Sequence, residues 1–275
     1  MPNESQAYSR VTKENQHFFL NSVEIPGIQN FTADSPANVG MVKFFGMRNA
    51  GFLPNGEQVG NISLSASLIT DDQFISLTGA NGFNGFILKE RDAFSDNFAF
   101  TSGFMTSYSS KYSFGQLPQI DVSAVIFGDI GKLTLAESTL TQPLQLKIPG
   151  PGCVDISIND FATSRVLGYD LNISIPRAAI FTLGNRYPTR VVRTWPMEVS
   201  CNFQVEVNTF EYNKLRDYPY NKRVENLTLS IRAYDTNSTI ASYSFSNLEL
   251  LSQNYTTNVD SNAVLNLKYN GLIMS

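Results

Sequence analysis

Hydrophobic and polar residues alternate one by one along much of this chain, most regularly in its middle. Within Leu167 to Ile175, Leu171, Ile173 and Ile175 fall on one side and Asp170, Asn172 and Ser174 on the other. Within Met197 to Val207, Val199, Cys201, Phe203, Val205 and Val207 alternate with Glu198, Ser200, Asn202, Gln204 and Glu206. A period of two puts successive side chains on opposite faces of an extended backbone. Each run therefore predicts a β-strand with one buried and one wet side. A connector with a Gly184-Asn185 turn joins them, so the pair reads as a long hairpin.

The same reading predicts a largely β chain. His17 to Ile28 reads as one first strand ending at Pro26-Gly27, after a polar arm from Met1 to Gln16. Met41 to Phe45 is a short apolar run, and Gly51 to Gly60 a turn-rich loop. Asn61 to Ile69 turns Ile62, Leu64, Ala66 and Leu68 inward. Asp71-Asp72 opens a short helix or an irregular crossing, and Gly79 to Gly85 reads as a flexible turn. Further strands are expected at Phe104 to Phe114, Ile120 to Phe127, Cys153 to Ile158, Leu227 to Tyr234, Thr239 to Phe245, Leu248 to Val259 and Ala263 to Leu272. Thr209 to Arg223 reads as a long loop.

Pro149-Gly150-Pro151-Gly152 cannot continue a strand or a helix, and so predicts a linker. Thr101 to Gly128 and Asn247 to Gly271 share one layout: a polar-alternating strand, a tight turn, and an apolar return strand ending near glycine. The repeat predicts a duplicated β domain, with an arm at 1–16 and domains at 17–148 and 149–275.

Charge and composition narrow the function. Of 275 residues 42% are hydrophobic, enough for a real core, but only 16% are charged; Ser, Thr and Asn fill the wet positions. Such a surface is poorly protected against association and suits a protein packed against copies of itself. The net charge of −4 argues against a reader that grips phosphates. Cys153 and Cys201 make no framework; they read as two reduced thiols, with a single disulfide as the alternative. No apolar segment follows the N-terminus, and no run reaches the roughly 18 apolar residues of a membrane span. A product made and folded in a cytosol is expected.

No catalytic constellation emerges. His17 is the single histidine, which speaks against a histidine triad or a multi-histidine metal site. Glu198 and Glu206 share a strand face but lie about 26 Å apart at about 3.3 Å per residue, too far for a glycosidase pair. Asp71, Asp72, Asp121 and Asp129 could ligate calcium, but without a D-x-D-x-D-G loop they read as solvated turns. GANGFNG lacks the Lys-Ser/Thr of a phosphate loop and reads as a mobile tip. Trp195 reads as a half-buried packing residue rather than a sugar platform. The N-x-S/T triplets reflect composition. Arg186, Arg190 and Arg193 cluster in the central connector, as candidates to pair with carboxylates of an adjacent subunit.

The serine-rich strand, tight turn and apolar return strand at Phe104 to Phe127, Leu167 to Val207 and Leu248 to Leu267 resemble the tail tube proteins of long-tailed bacteriophages. NISIPRAAIFTLGNRYP, followed by TWPMEVSCNFQVEV, carries most of the likeness. The resemblance implies a β-sandwich or barrel with a flanking helix, stacked as rings into a hollow tube whose inner wall is made of long hairpins. The expectation is then a mainly β chain: two related β-sandwich or barrel domains of tail-tube type, with long hairpins and little helix. It would be a structural virion protein without enzymatic activity, cofactor or metal. Its partners would be itself, in trimeric or hexameric stacked rings, other phage tail proteins, and genomic DNA passing through without specific binding; no membrane is involved. Its place would be the virion tail, assembled in the host cytoplasm. Thr106, Ser110, Asp170, Asn172 and Ser174 are the expected lumen-facing residues. The alternative reading is a carbohydrate- or receptor-binding β-sandwich of a phage tail.

Overall fold

The computed structural model describes residues 16–36, 39–42, 51–54, 59–79, 81–88, 97–134, 145–159, 161–183, 185–207, 223–224, 226–258 and 261–273. The strands of the first half are β1 (His17–Leu20), β2 (Val23–Glu24), β3 (Ile28–Asp34), β4 (Val39–Val42), β5 (Gly51–Pro54), β6 (Gly60–Ser67), β7 (Phe83–Leu88), β8 (Asn97–Ser113), β9 (Gln119–Ile126) and β10 (Ile130–Gly131). Those of the second half begin with β11 (Val154–Ile158), β12 (Phe161–Thr163), β13 (Val166–Ser174), β14 (Arg177–Ile180), β15 (Arg190–Arg193) and β16 (Met197–Glu206). They end with β17 (Arg223–Val224), β18 (Leu227–Arg232), β19 (Thr239–Phe245), β20 (Leu248–Asn258) and β21 (Ser261–Ile273). All pairings are antiparallel. Among the described residues there is no α-helix, only a 3-10 turn at Ile75–Thr78, so the flanking helix implied by the resemblance is not found there.

The main sheet has 13 strands, and its spine runs β3-β6-β9-β8-β13-β16-β21-β20. Three hairpins stand side by side in it, with β8–β9 and β20–β21 flanking the central β13–β16 pair. β8 is 17 residues long. Its second half lies between β9 and β13, and its first half between β7 and β10. A four-stranded sheet, β12-β11-β18-β19, contributes Ile156, Ile158, Leu229, Ile231 and Tyr243 to the same core as Leu171, Val199 and Leu267 of the main sheet. The fold is therefore a mainly β, sandwich-like one. Each fully buried aliphatic side chain contributes about 1.5–3 kcal/mol to holding it.

Strands from either side of the boundary expected at 148/149 share this sheet and core. β8 pairs with β13 from Ser107 to Ser113, and one cluster joins Ile62 and Ile120 to Ile156 and Leu265. The Pro149–Gly152 turn is stitched in on both sides. The Lys147 amide donates to Ile69, the Tyr234 amide to Ile148, and the Cys153 amide to Gly150.

Several local expectations need correction. His17 to Ile28 is not one strand: Asn21 and Ser22 adopt φ 46° and 70° and close a two-residue hairpin between β1 and β2. Positive φ at both turn positions matches the twist of the flanking strands, and Asn tolerates it. Part of the Gly51 to Gly60 loop is strand, because Gly51–Pro54 pairs with Val39–Val42. The Gly79 to Gly85 turn is cut short by β7. There Gly85 serves packing, since a Cβ would lie 2.4 Å from the Phe100 ring. The arm up to residue 15, residues 43–45 of the apolar run and residues 209–222 of the expected loop lie outside the described residues. Cys153 and Cys201 are both buried free thiols.

Candidate functional site: the uncovered face of the main sheet

The register fixes which residues share a face. Ala66, Ile120, Ser110, Leu171, Cys201 and Tyr269 stand opposite one another across β6, β9, β8, β13, β16 and β21, and all are buried in the core. One residue along, Ser65, Asp121, Ser109, Asn172, Ser200, Asn270 and Glu249 form the matching row on the other face, continued onto β20. Neighbouring rows add Ser63, Ser123, Ser107, Ser174 and Glu198, and also Gln119, Lys111, Asp170, Asn202, Lys268 and Ser252. These side chains are half-buried or exposed. The alternation that builds the core thus builds, at the same time, a hydroxyl- and amide-covered surface seven strands across.

Asp170, Asn172 and Ser174 lie on this face as expected. Ser110 does not: it is fully buried, and its hydroxyl meets the Tyr169 hydroxyl at 2.9 Å. The parity of β8 is set by Tyr108 and Tyr112, whose rings claim the core side and carry Ser110 with them. Thr106 sits where the β8–β9 register shifts between Met105 and Ser107; it is half-buried and donates to the Ser123 carbonyl at 3.2 Å. The β8 residues on the polar face are therefore Ser107, Ser109 and Lys111.

The face is acidic. Asp34, Asp121, Asp170, Glu198, Glu206 and Glu249 outnumber Lys111, Lys268 and, in register with Glu249, Arg223. Asp121 accepts from the Ser65 hydroxyl at 2.6 Å and has the Lys111 ammonium at 3.9 Å; the Asn172 amide donates to Asp170 at 2.8 Å. Such exposed pairs hold side-chain positions more than they stabilise the fold.

At the end of the sheet where β13 finishes, the face deepens into a groove of about 980 Å³ between β13, β16, β21, β20 and the end of β19. From the same end springs an arm, the β14–β15 hairpin, paired only with itself. Its base is anchored by Arg177, which donates to the Met105 and Gly79 carbonyls at 2.9 and 2.6 Å, and by Arg193, which donates to Thr78 at 3.2 Å. The Arg177 guanidinium is held below its usual range by burial and then by Arg193 opposite. Arg193 also lies over the Trp195 ring at 4.1 Å from its centroid, so that ring face is occupied by the chain itself. Of the three arginines expected at an interface, Arg193 is engaged at the arm's base, and Arg186 and Arg190 are exposed, Arg186 with its guanidinium over the Tyr187 ring at 5.3 Å from the centroid.

No family model matches the chain, and no curated protein matches it.

A buried polar cluster was not legible in the sequence. Asp72, expected in a solvated turn, accepts from the Tyr108 hydroxyl at 2.5 Å and the Tyr243 hydroxyl at 3.0 Å through one oxygen. Through the other it accepts from the amides of Phe74 and Ile75, which starts the 3-10 turn. Burial pushes its carboxyl above the ordinary range, against the pull of those four hydrogen bonds. Burial likewise pushes the Tyr108, Tyr243 and Tyr169 hydroxyls up, and the Cys201 thiol up to about 12. The cluster ties β8, β19 and the 3-10 turn together, enclosed in the core. Asp71 instead pairs with Lys147 at 2.6 Å. His17 pairs with Glu24 at 2.7 Å, a structural role. Among the described residues no three His, Cys, Asp or Glu side chains converge as a metal site, and no helix is long and apolar enough to cross a membrane.

Proposed function

We propose that this chain is a structural subunit of a phage tail that assembles with copies of itself into stacked rings enclosing a bore for DNA. The observation that carries the reading is the two-faced spine of the main sheet. One side is continuous core; the other is a broad, acidic, hydroxyl- and amide-rich surface that no described sheet covers. Among the described residues β3 pairs only with β6, and β20 beyond Glu249 pairs only with β21, so the spine ends in two strand edges. Edges of this kind supply main-chain hydrogen bonds to another strand without side-chain chemistry. Joined edge to edge around a ring, trimeric or hexameric, the polar faces would enclose water, as in any wide barrel. A wall of Ser, Asn and carboxylates repels phosphates, whereas a lysine-rich wall would hold them. On this reading the protein performs no reaction, and it works in the virion tail beside other tail proteins.

Electron microscopy of the purified chain tests the reading. Rings or tubes are expected, with Ser109, Asp121 and Asn202 on the bore in a cryo-EM map. Particles that stay single at every concentration, or a map with those residues on the outer surface, would overturn it. The groove favours a second reading, a carbohydrate- or receptor-binding tail module, because Asn172, Ser200, Glu198 and Asn270 line it. Discrete particles with measurable glycan affinity would favour that one.

A further inference from the structure

We infer that the β14–β15 arm of one copy docks into the rim groove of the next copy, a head-to-tail contact in which Arg186 and Arg190 face Glu198 and Glu249. The inference deepens the self-assembly reading and rests on it for the identity of the partner.

Charge separates the two surfaces. Residues 176–195 contain Arg177, Arg186, Arg190 and Arg193 and no Asp or Glu, in a chain whose net charge is −4. Among the described side chains the groove is lined by Glu198 and Glu249 and by no Lys or Arg, Arg223 of β17 standing in register with Glu249. Their apolar parts match as well. The arm carries exposed Ile180 and, at its tip, a completely exposed Leu183. The groove offers Phe245 with Leu251 and Leu272, each of the two leucines 49% exposed. A positive, apolar-tipped projection and a negative, apolar-floored hollow form a complementary pair, and opposite potentials of this kind fix register and partner choice.

Their placement makes the contact intermolecular. Both lie at the end of the sheet where β13 gives way to β14 and β15 leads into β16. The arm leans toward the β9 flank: Phe181 packs on Phe127 with ring centroids 6.3 Å apart, and Tyr187 donates to Asp129. The groove runs the other way, from Asn172, Ser174 and Glu198 beside the arm's root across β16 and β21 to β20 and the end of β19. With the arm held toward β9, its tip is turned away from the copy's own Leu251, which lies on β20, five strands along the spine from β9. Repeated by rotation, they join each copy to the next, the heterologous arrangement that closes into a ring.

The full chain carrying Leu183→Cys and Leu251→Cys tests this with a short bismaleimide cross-linker, the native thiols being buried. A ladder of cross-linked multimers on a denaturing gel is expected, at least about tenfold stronger than with either single cysteine variant. Monomer alone, or a cross-link within one chain, overturns the inference. Adding Arg186→Glu with Arg190→Glu should suppress the ladder by about tenfold or more, and adding Glu198→Lys with Glu249→Lys to that chain should restore it. A ladder indifferent to the first change, or not restored by the second, also overturns it. Sedimentation of the unaltered chain gives a second reading: association should weaken as salt rises, and salt-indifferent association counts against the contact. A ladder without tubes in the microscope sinks the conduit reading and leaves this contact standing. Tubes without a ladder do the reverse.

Discussion

On the core side of the central strands, Ser110, Leu171, Cys201 and Tyr269 stand in one row across β8, β13, β16 and β21. One residue along, Ser109, Asn172, Ser200 and Asn270 stand in the matching row on the other side. Backbone pairing is the same for both. The first row is sealed beneath the sheet that carries Ile156, Leu229 and Tyr243; the second remains open to water. The comparison separates two jobs that one alternating pattern performs. Burial of the first row supplies the free energy of folding, because apolar area leaves water there. The second row contributes little to stability, so its chemistry is available for whatever fills the space in front of it.

The largest expected effect breaks the comparison at one position. Leu171→Ala opens a cavity at a fully buried site and should lower stability by about 2–5 kcal/mol in urea unfolding. Asn172→Ala, one residue away on the open side, should stay within about 0.5 kcal/mol of the parent. Equal costs at the two sites would mean that the open face is in fact covered.

A smaller effect is expected at the polar cluster inside the core. Tyr243→Phe removes one donor from the Asp72 carboxylate while the rest of the cluster stays buried, and should cost about 1–3 kcal/mol by the same measurement. A neutral result would show that the remaining donors, Tyr108 and the two amides, suffice.

Acid then sharpens the contrast between the buried Asp72 and the exposed carboxylates of the open face. Because burial raises the Asp72 carboxyl above its ordinary value of 3.8, the folded state holds this proton more tightly than the unfolded chain. The stability gained from it is complete below 3.8 and is lost as pH climbs through the higher folded-state value. Asp72→Asn, which does not ionise, should flatten the curve of thermal midpoint against pH across that window. An unchanged slope would assign the pH dependence to other groups.

The smallest effect on stability is expected on the open face, where the functional effect should be largest. Ser109→Lys with Asn202→Lys should leave unfolding within about 0.5 kcal/mol of the parent. In the assembled protein it should create salt-sensitive DNA retention, steepening the log–log salt dependence by about 0.9 for each phosphate neutralised. DNA binding that is already strong in the unaltered assembly would contradict a passive bore.

Much of this architecture was legible because strand parity is local. Ile62, Leu64, Ala66 and Leu68, and likewise Val199 to Val207, are buried as their alternation predicts. Legibility failed where two signals conflicted. In β8 both parities carry serine, so Ser110 looked as wet as Ser109. Only the large rings of Tyr108 and Tyr112 reveal the inward side, and tyrosine is ambiguous because it carries a polar hydroxyl. Gly85 was read as a turn residue, although its missing side chain makes room for Phe100. Asp72 looked solvated because nothing local announces Tyr108 and Tyr243, which lie 36 and 171 residues away in the chain.

What the sequence determined by itself was the β character of the chain, the two-sidedness of its strands and the scarcity of charge, since each follows from neighbours along the backbone. The tertiary structure alone decided that three hairpins from both halves stand in one sheet, that their polar sides merge into a single acidic surface, and that arm and groove come to the same end of it. Those outcomes depend on which strand edges find each other across long stretches of chain, and long-range pairing leaves no periodic trace in the residues themselves.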